Sequence, residues 1–138
     1  MNEVCGQTLR FSADPRALKN IRRRVHETAL ASGCNAKVAA ELVLAVNEAC
    51  MNIIQHAYKG DCSGAIVLEI LNNGSELEFH LTDFAAPVDL AAIKPRPLDE
   101  IRPGGLGTHF IGSIMDEYVY GHLAGECGNY LRMRKKIR

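Results

Sequence analysis

The chain has 138 residues, of which 47% are apolar and 23% charged, a length that suits one compact domain and an apolar share that supplies a core. Sixteen basic and sixteen acidic residues cancel to a net charge of +0. That balance argues against non-specific nucleic-acid binding, which needs a clustered positive field.

Residues 6–13 alternate loosely, with Leu9, Phe11 and Ala13 in step, and predict a first strand. Asp14-Pro15 then marks a helix start, because the aspartate caps orphan amides and proline fits the first helical position. The helix runs to about Ser32, with Ala17, Leu18, Ile21, Val25, Thr28 and Ala29 on one face, and Gly33 ends it. Arg22, Arg23, Arg24 and Glu27 fall mostly outside that face. A longer helix from about Ala36 to Tyr58 has Asn35 as its cap and Gly60 beyond its end. Its apolar surface, including Val38, Leu42, Val46, Cys50 and Ile53, is wide enough to predict packing on more than one side.

Residues 65–71 (AIVLEIL), the turn Asn72-Asn73-Gly74 and residues 77–82 (LEFHLT) predict an antiparallel hairpin. Residues 86–103 hold Pro87, Pro95, Pro97 and Pro103, which rules out a long regular helix or a central strand there. So long a loop in a small domain is usually functional or mobile. Gly104-Gly105-Leu106-Gly107 closes it and a short helix, about Thr108–Met115, follows. Tyr118–Leu123 and Asn129–Lys136 flank Gly125 and Gly128 as a second hairpin. The basic run Arg132, Arg134, Lys135, Lys136 and Arg138 alternates with Leu131, Met133 and Ile137, as a strand with one solvated face does. These elements compose a single domain over residues 1–138, an α/β (α+β) two-layer sandwich in which helices cover one face of a mostly antiparallel mixed sheet.

Five cysteines, Cys5, Cys34, Cys50, Cys62 and Cys127, form no CxxC pair and are odd in number, which argues against a disulfide framework or a zinc site. Cys50 reads as a small buried hydrophobe. The N-terminus has no basic segment ahead of a long apolar one, and no apolar run approaches the ~20 residues of a membrane span. A cytoplasmic protein with reduced thiols, attached to no membrane, is the expectation.

Three groups of residues could carry chemistry. Glu48 and Asn52 are four apart on the long helix, so they share a face one turn apart. They read either as part of a solvent-exposed polar stripe or as a working pair. In the second reading the neutral Asn52 oxygen suits Mg²⁺ and the Glu48 carboxylate orients or deprotonates a nucleophile. Asp83, at the end of the second hairpin strand, is either a turn-forming aspartate or an acceptor for the amino group of adenine, where guanine has a carbonyl. Gly104 to Gly107, leading into a helix, allow close backbone approach and present free amides to an anion, but no Lys-Ser/Thr follows to make a P-loop.

In combination and in this order, Glu48-x-x-x-Asn52, Asp83, a variable loop and Gly105-x-Gly107 resemble the Bergerat-type ATP site of the histidine-kinase-like ATPases. The stretches NEACMNIIQHAY (47–58), DFAAPVDL (83–90), PGGLGTHFIGSIMDEYVY (103–120) and GNYLRMRKKI (128–137) are similar to the small single-domain branch, the anti-sigma-factor serine kinases. The resemblance implies ATP and Mg²⁺ as cofactors, with Glu48 the catalytic base, Asn52 the metal ligand and Asp83 the adenine reader. Gly104, Gly105, Leu106, Gly107 and Thr108 would contact phosphates, and residues 86–103 would form the lid. His56 matches the helix ending of that branch, with packing as its other reading.

The family usually has Asp-x-Gly at the adenine contact, and Ala85 stands in place of that glycine. An alanine at positive φ would cost about 1–2 kcal/mol, whereas at negative φ the change is nearly silent. The resemblance implies a protein serine/threonine kinase that phosphorylates a small antagonist protein and, in a competing interaction, binds a sigma factor. Two further readings stand beside it. One is a non-catalytic module that sequesters a partner with weak or absent ATP binding, which Ala85 would favour; the other is a histidine kinase fragment. The small branch often pairs, so a homodimer built on apolar faces near the first strand and helix belongs to the same analogy.

Overall fold

The computed structural model describes residues 5–86, 111–124 and 127–137. Nearly all of the expected lid, the glycine motif 104–107 and Thr108 lie outside them.

The order is β1 (Cys5–Ser12), a 3₁₀ turn (Pro15–Ala17), α1 (Leu18–Ala31), α2 (Ala36–Asn52), a π-helical turn (Ile53–Ala57), β2 (Ala65–Asn72), β3 (Glu76–Asp83), β4 (Glu117–His122) and β5 (Asn129–Lys136). Residues 111–114, ahead of β4, are helical. The expected caps operate. Asp14 accepts from the Arg16 amide at 2.9 Å and Asn35 from the Val38 amide at 2.8 Å. Gly33, at φ 97°, takes the left-handed conformation that ends α1. Asp14-Pro15 opens the 3₁₀ turn, and the α-helix proper starts three residues later at Leu18.

The five strands form one sheet in the order β1-β2-β3-β5-β4. All four pairings are antiparallel, so among the described residues the sheet is not mixed as expected. β3 pairs with β5 rather than with β4, so 33 residues of sequence separate the sheet's middle strand from β4 at its edge. Register sets the side chains in rows across the strands. One row is Leu9, Leu68, Leu81, Leu131 and Tyr120; the next is Phe11, Ile66, Asp83, Asn129 and His122.

Ile66, Leu68, Ile70, Leu77, Phe79, Leu81, Leu131 and Met133 are buried on one face of the sheet. α1 contributes Leu18, Ile21, Val25 and Ala29, and α2 contributes Ala39, Leu42, Val46, Ala49 and Cys50, to the same cluster. Strand alternation puts every second residue into this layer, while the intervening Glu69, Glu78, His80, Arg132 and Arg134 stay on the other face. This is the two-layer arrangement the sequence patterns predict. Cys50 is fully buried, and burial pushes its thiol up to about 12.

By length and composition the 22 residues Ala36–Ala57 would pass for a membrane span, contrary to the expectation from the sequence. Their apolarity serves the core, where α2 packs against α1 and the sheet. The helix does not continue regularly to Tyr58: after Asn52 it widens into the π-turn, and the Tyr58 amide bonds the Ile53 carbonyl at 3.0 Å.

Tyr58 ties this helix end to the sheet. Its hydroxyl donates to the Ala65 carbonyl at 2.6 Å and accepts from the Phe84 amide at 2.8 Å, joining the start of β2 to the residue after Asp83. Tyr58→Phe leaves both backbone groups without this partner. The expected loss is about 1–3 kcal/mol of unfolding free energy, read by urea denaturation.

Candidate functional site

A half-open cavity with about 40 Å³ of water-accessible space lies between the end of α2 and the middle of the sheet. Asn52, Ile53, His56, Leu81, Asp83, Tyr120 and Asn129 are among its lining residues. Its wall is almost wholly apolar, broken by a few polar groups, as in sites for small organic ligands.

Asn52 closes α2 facing inward and is buried. Its Nδ2 has no hydrogen-bond partner among the described residues. A buried amide left in this way costs free energy, so a ligand group that satisfies it gains correspondingly. Glu48 sits one turn earlier on the same helix and is half-buried, but it does not line the cavity. The solvent-exposed-stripe reading therefore fails for Asn52. His56, also read as a packing residue, is instead exposed at the cavity wall.

Asp83 is only 2% exposed. Its Oδ1 accepts from Asn129 Nδ2 at 2.9 Å and from the Ala85 amide at 3.1 Å. Asn129 Nδ2 also reaches the Ala86 carbonyl at 3.2 Å, and the Asn129 backbone amide is a further donor to the carboxylate. These three donors occupy three of the roughly four lone-pair positions of a carboxylate and leave acceptor capacity. Burial pushes the Asp83 carboxyl above its ordinary value, and the hydrogen bonds from Asn129 and Ala85 oppose that shift.

Ala85 brings no strain. Among the described non-glycine residues only Lys59 has positive φ, so alanine stands where the family's glycine does without the left-handed penalty. Its amide is one of the donors holding Asp83. The sequence feature that favoured a site unable to bind nucleotide thus loses its physical ground.

Asn129 is a site residue that sequence reasoning passed over. It becomes visible only in the register that pairs it with Asp83. Gly128 makes that approach possible: at φ 153°, a Cβ there would lie 2.6 Å from the Asp83 carbonyl oxygen. Tyr120 was likewise read only as part of a strand. Its hydroxyl is buried and unpartnered among the described residues.

A family model described as the histidine kinase-like ATPase domain matches residues 11–135. The chain belongs to that family. It is 31% identical over 118 residues to the serine-protein kinase RsbW of Listeria monocytogenes, covering 80% of this chain and 75% of that protein. It is 34% identical over 96 residues to the serine-protein kinase RsbW of Bacillus cereus, covering 62% of this chain and 58% of the relative. The crystal structure of the RsbU and RsbW domains of a Mycobacterium tuberculosis protein has the same fold, with a TM-score of 0.66 at 17% identity. That match covers 95% of this chain and 31% of the larger one.

The upward shift of Asp83 has a definite consequence for stability. A folded-state value above the unfolded one means that the native form holds its proton to higher pH. The stability this contributes is complete below the unfolded value and is lost as pH rises through the folded one. Asp83→Asn keeps the Oδ1 acceptor and cannot ionise. It is expected to be at least as stable as the parent at pH 7 and to flatten this part of the pH dependence, as read by urea denaturation from acid to neutral pH.

Proposed function

We propose that this chain is an ATP-dependent serine/threonine protein kinase of the anti-sigma type. It transfers the terminal phosphoryl group of ATP to a serine or threonine of a small antagonist protein in the cytoplasm. Binding of a sigma factor is the competing, mutually exclusive interaction. Family membership and relatives named as serine-protein kinases support this reading. The observation that carries it is that Asn52 and Asp83, from different layers of the fold, line one apolar cavity.

In this reading the slot takes adenine, and Asp83 accepts a hydrogen bond from the exocyclic amino group. Guanine presents a carbonyl there, which would face the carboxylate oxygens without a proton between them, so ATP is preferred over GTP. The Asn52 Nδ2, lacking a partner within the described chain, fits a group that meets the phosphates. Turned about its last torsion, it offers a neutral oxygen to Mg²⁺ or its N–H to a phosphate oxygen. Mg²⁺, when bound, supplies charge neutralisation for the phosphates.

In this reading Glu48, one turn from Asn52 and half-buried, takes the proton of the attacking hydroxyl. Gly104, Gly105, Leu106, Gly107 and Thr108 contribute backbone amides to the phosphates, and residues 86–103 cover them, all within a single domain over residues 1–138.

Calorimetric titration with Mg·ATP is expected to give a saturable response that Asn52→Ala abolishes. Glu48→Gln is expected to bind ATP normally and to lower phosphoryl transfer by about 10²–10⁴-fold, the usual share of a general base. Incubation with labelled ATP and the cognate antagonist should yield acid-stable phosphoserine or phosphothreonine. A folded, ATP-saturated protein that leaves the antagonist unlabelled would falsify the kinase reading, and acid-labile label would move the protein to the histidine kinases.

A further inference from the structure

Tyr120 has two features that packing alone does not explain. It lines the cavity with its hydroxyl buried, and that hydroxyl has no partner among the described residues. Phenylalanine would supply the same ring without an orphaned polar atom, so a tyrosine left in this state lowers stability for no gain within the sheet. The ring itself is well placed, edge-on to Tyr118 with centroids 5.9 Å apart at 84°.

Register fixes where the hydroxyl sits relative to Asp83. Tyr120 pairs with Leu131, which pairs with Leu81, in the row next to the one holding Asp83 and Asn129. Both rows face the helices. Asp83 and Tyr120 are separated by two strand spacings, about 10 Å across the sheet, with the apolar side chains of Leu81 and Leu131 between. A flat heterocycle lying over those leucines would have Asp83 near one edge and the tyrosine hydroxyl near another. The highly charged phosphates would not settle on so apolar a floor.

We propose that Tyr120 is a base-binding residue of the nucleotide site, its hydroxyl donating a hydrogen bond to an acceptor nitrogen of the purine ring. This rests on the nucleotide-binding reading of the cavity and adds a second contact to the base, independent of Asp83. Burial pushes the Tyr120 hydroxyl up to about 12, so at neutral pH it keeps its proton and is able to donate.

Tyr120→Phe removes one oxygen atom. Without nucleotide, the variant is expected to unfold at the same urea concentration as the parent or a higher one. Its affinity by calorimetry is expected to fall about 3- to 10-fold, as loss of one neutral hydrogen bond implies, and by the same factor for ATP, ADP and adenosine, because the contact is on the base. Asn52→Ala provides the contrast, weakening ATP far more than adenosine. The loss in Tyr120→Phe should vanish for the deaza analogue that lacks the accepting nitrogen.

Three outcomes would overturn the proposal. Equal affinity of parent and variant for all three ligands would mean that the hydroxyl touches no part of the nucleotide. A loss confined to ATP would place it on the phosphates. A clear loss of stability in the unliganded variant would mean that the hydroxyl is bonded within the protein. Failure of the parent itself to bind any of the three ligands is a separate result, which removes the nucleotide reading and this inference with it.

Discussion

A carboxylate at the end of a central strand, 2% exposed, has to be held by hydrogen bonds, and that requirement organises one end of this molecule. Asp83 is met by Asn129 from the neighbouring strand and by the amide of Ala85 two residues on. The approach of β5 depends on Gly128, where a side chain would strike the Asp83 backbone. The turn away from β3 is held by Tyr58, which reaches from the end of α2 to the Phe84 amide. These four residues come from three parts of the chain, and they come together only if the sheet register is correct.

The remaining acceptor capacity of Asp83 and the unpartnered groups of Asn52 and Tyr120 border one cavity. Elsewhere the core is apolar and its strand rows are filled by leucine, isoleucine, phenylalanine and methionine. Polar groups without partners reduce the stability of a fold, and they concentrate where a ligand completes them. The widening of α2 into a π-turn directly after Asn52 belongs to the same region, in keeping with the frequent occurrence of such turns at functional sites. The shift at Asp83 has the same character: burial disfavours its charged form, a cost to the unliganded protein that the proposed adenine contact would account for.

Membership of the histidine kinase-like ATPase family and the geometry of the cavity lead in the same direction by independent routes. The departure at Ala85 tests their agreement. Sequence comparison alone would count it against the site. The backbone there is not left-handed, and the Ala85 amide supports the buried carboxylate, so the side chain's identity matters little.

Local chemistry determined much of this protein. Asp14, Asn35 and Gly33 fix helix ends through hydrogen bonds and backbone angles that span only a few residues. The alternation in β2, β3 and β5 fixes which face is buried. The spacing of Glu48 and Asn52 and the place of Asp83 at a strand end were likewise readable, because each depends on one element. The partners of Asp83 were not: Asn129 lies 46 residues away, and its role exists only because β5 inserts between β3 and β4. The same insertion carries Tyr120 into the cavity, and the sign of φ at Ala85 follows from how the chain leaves the sheet. Pairing between distant strands is decided by the packing of the whole core, which no local pattern encodes.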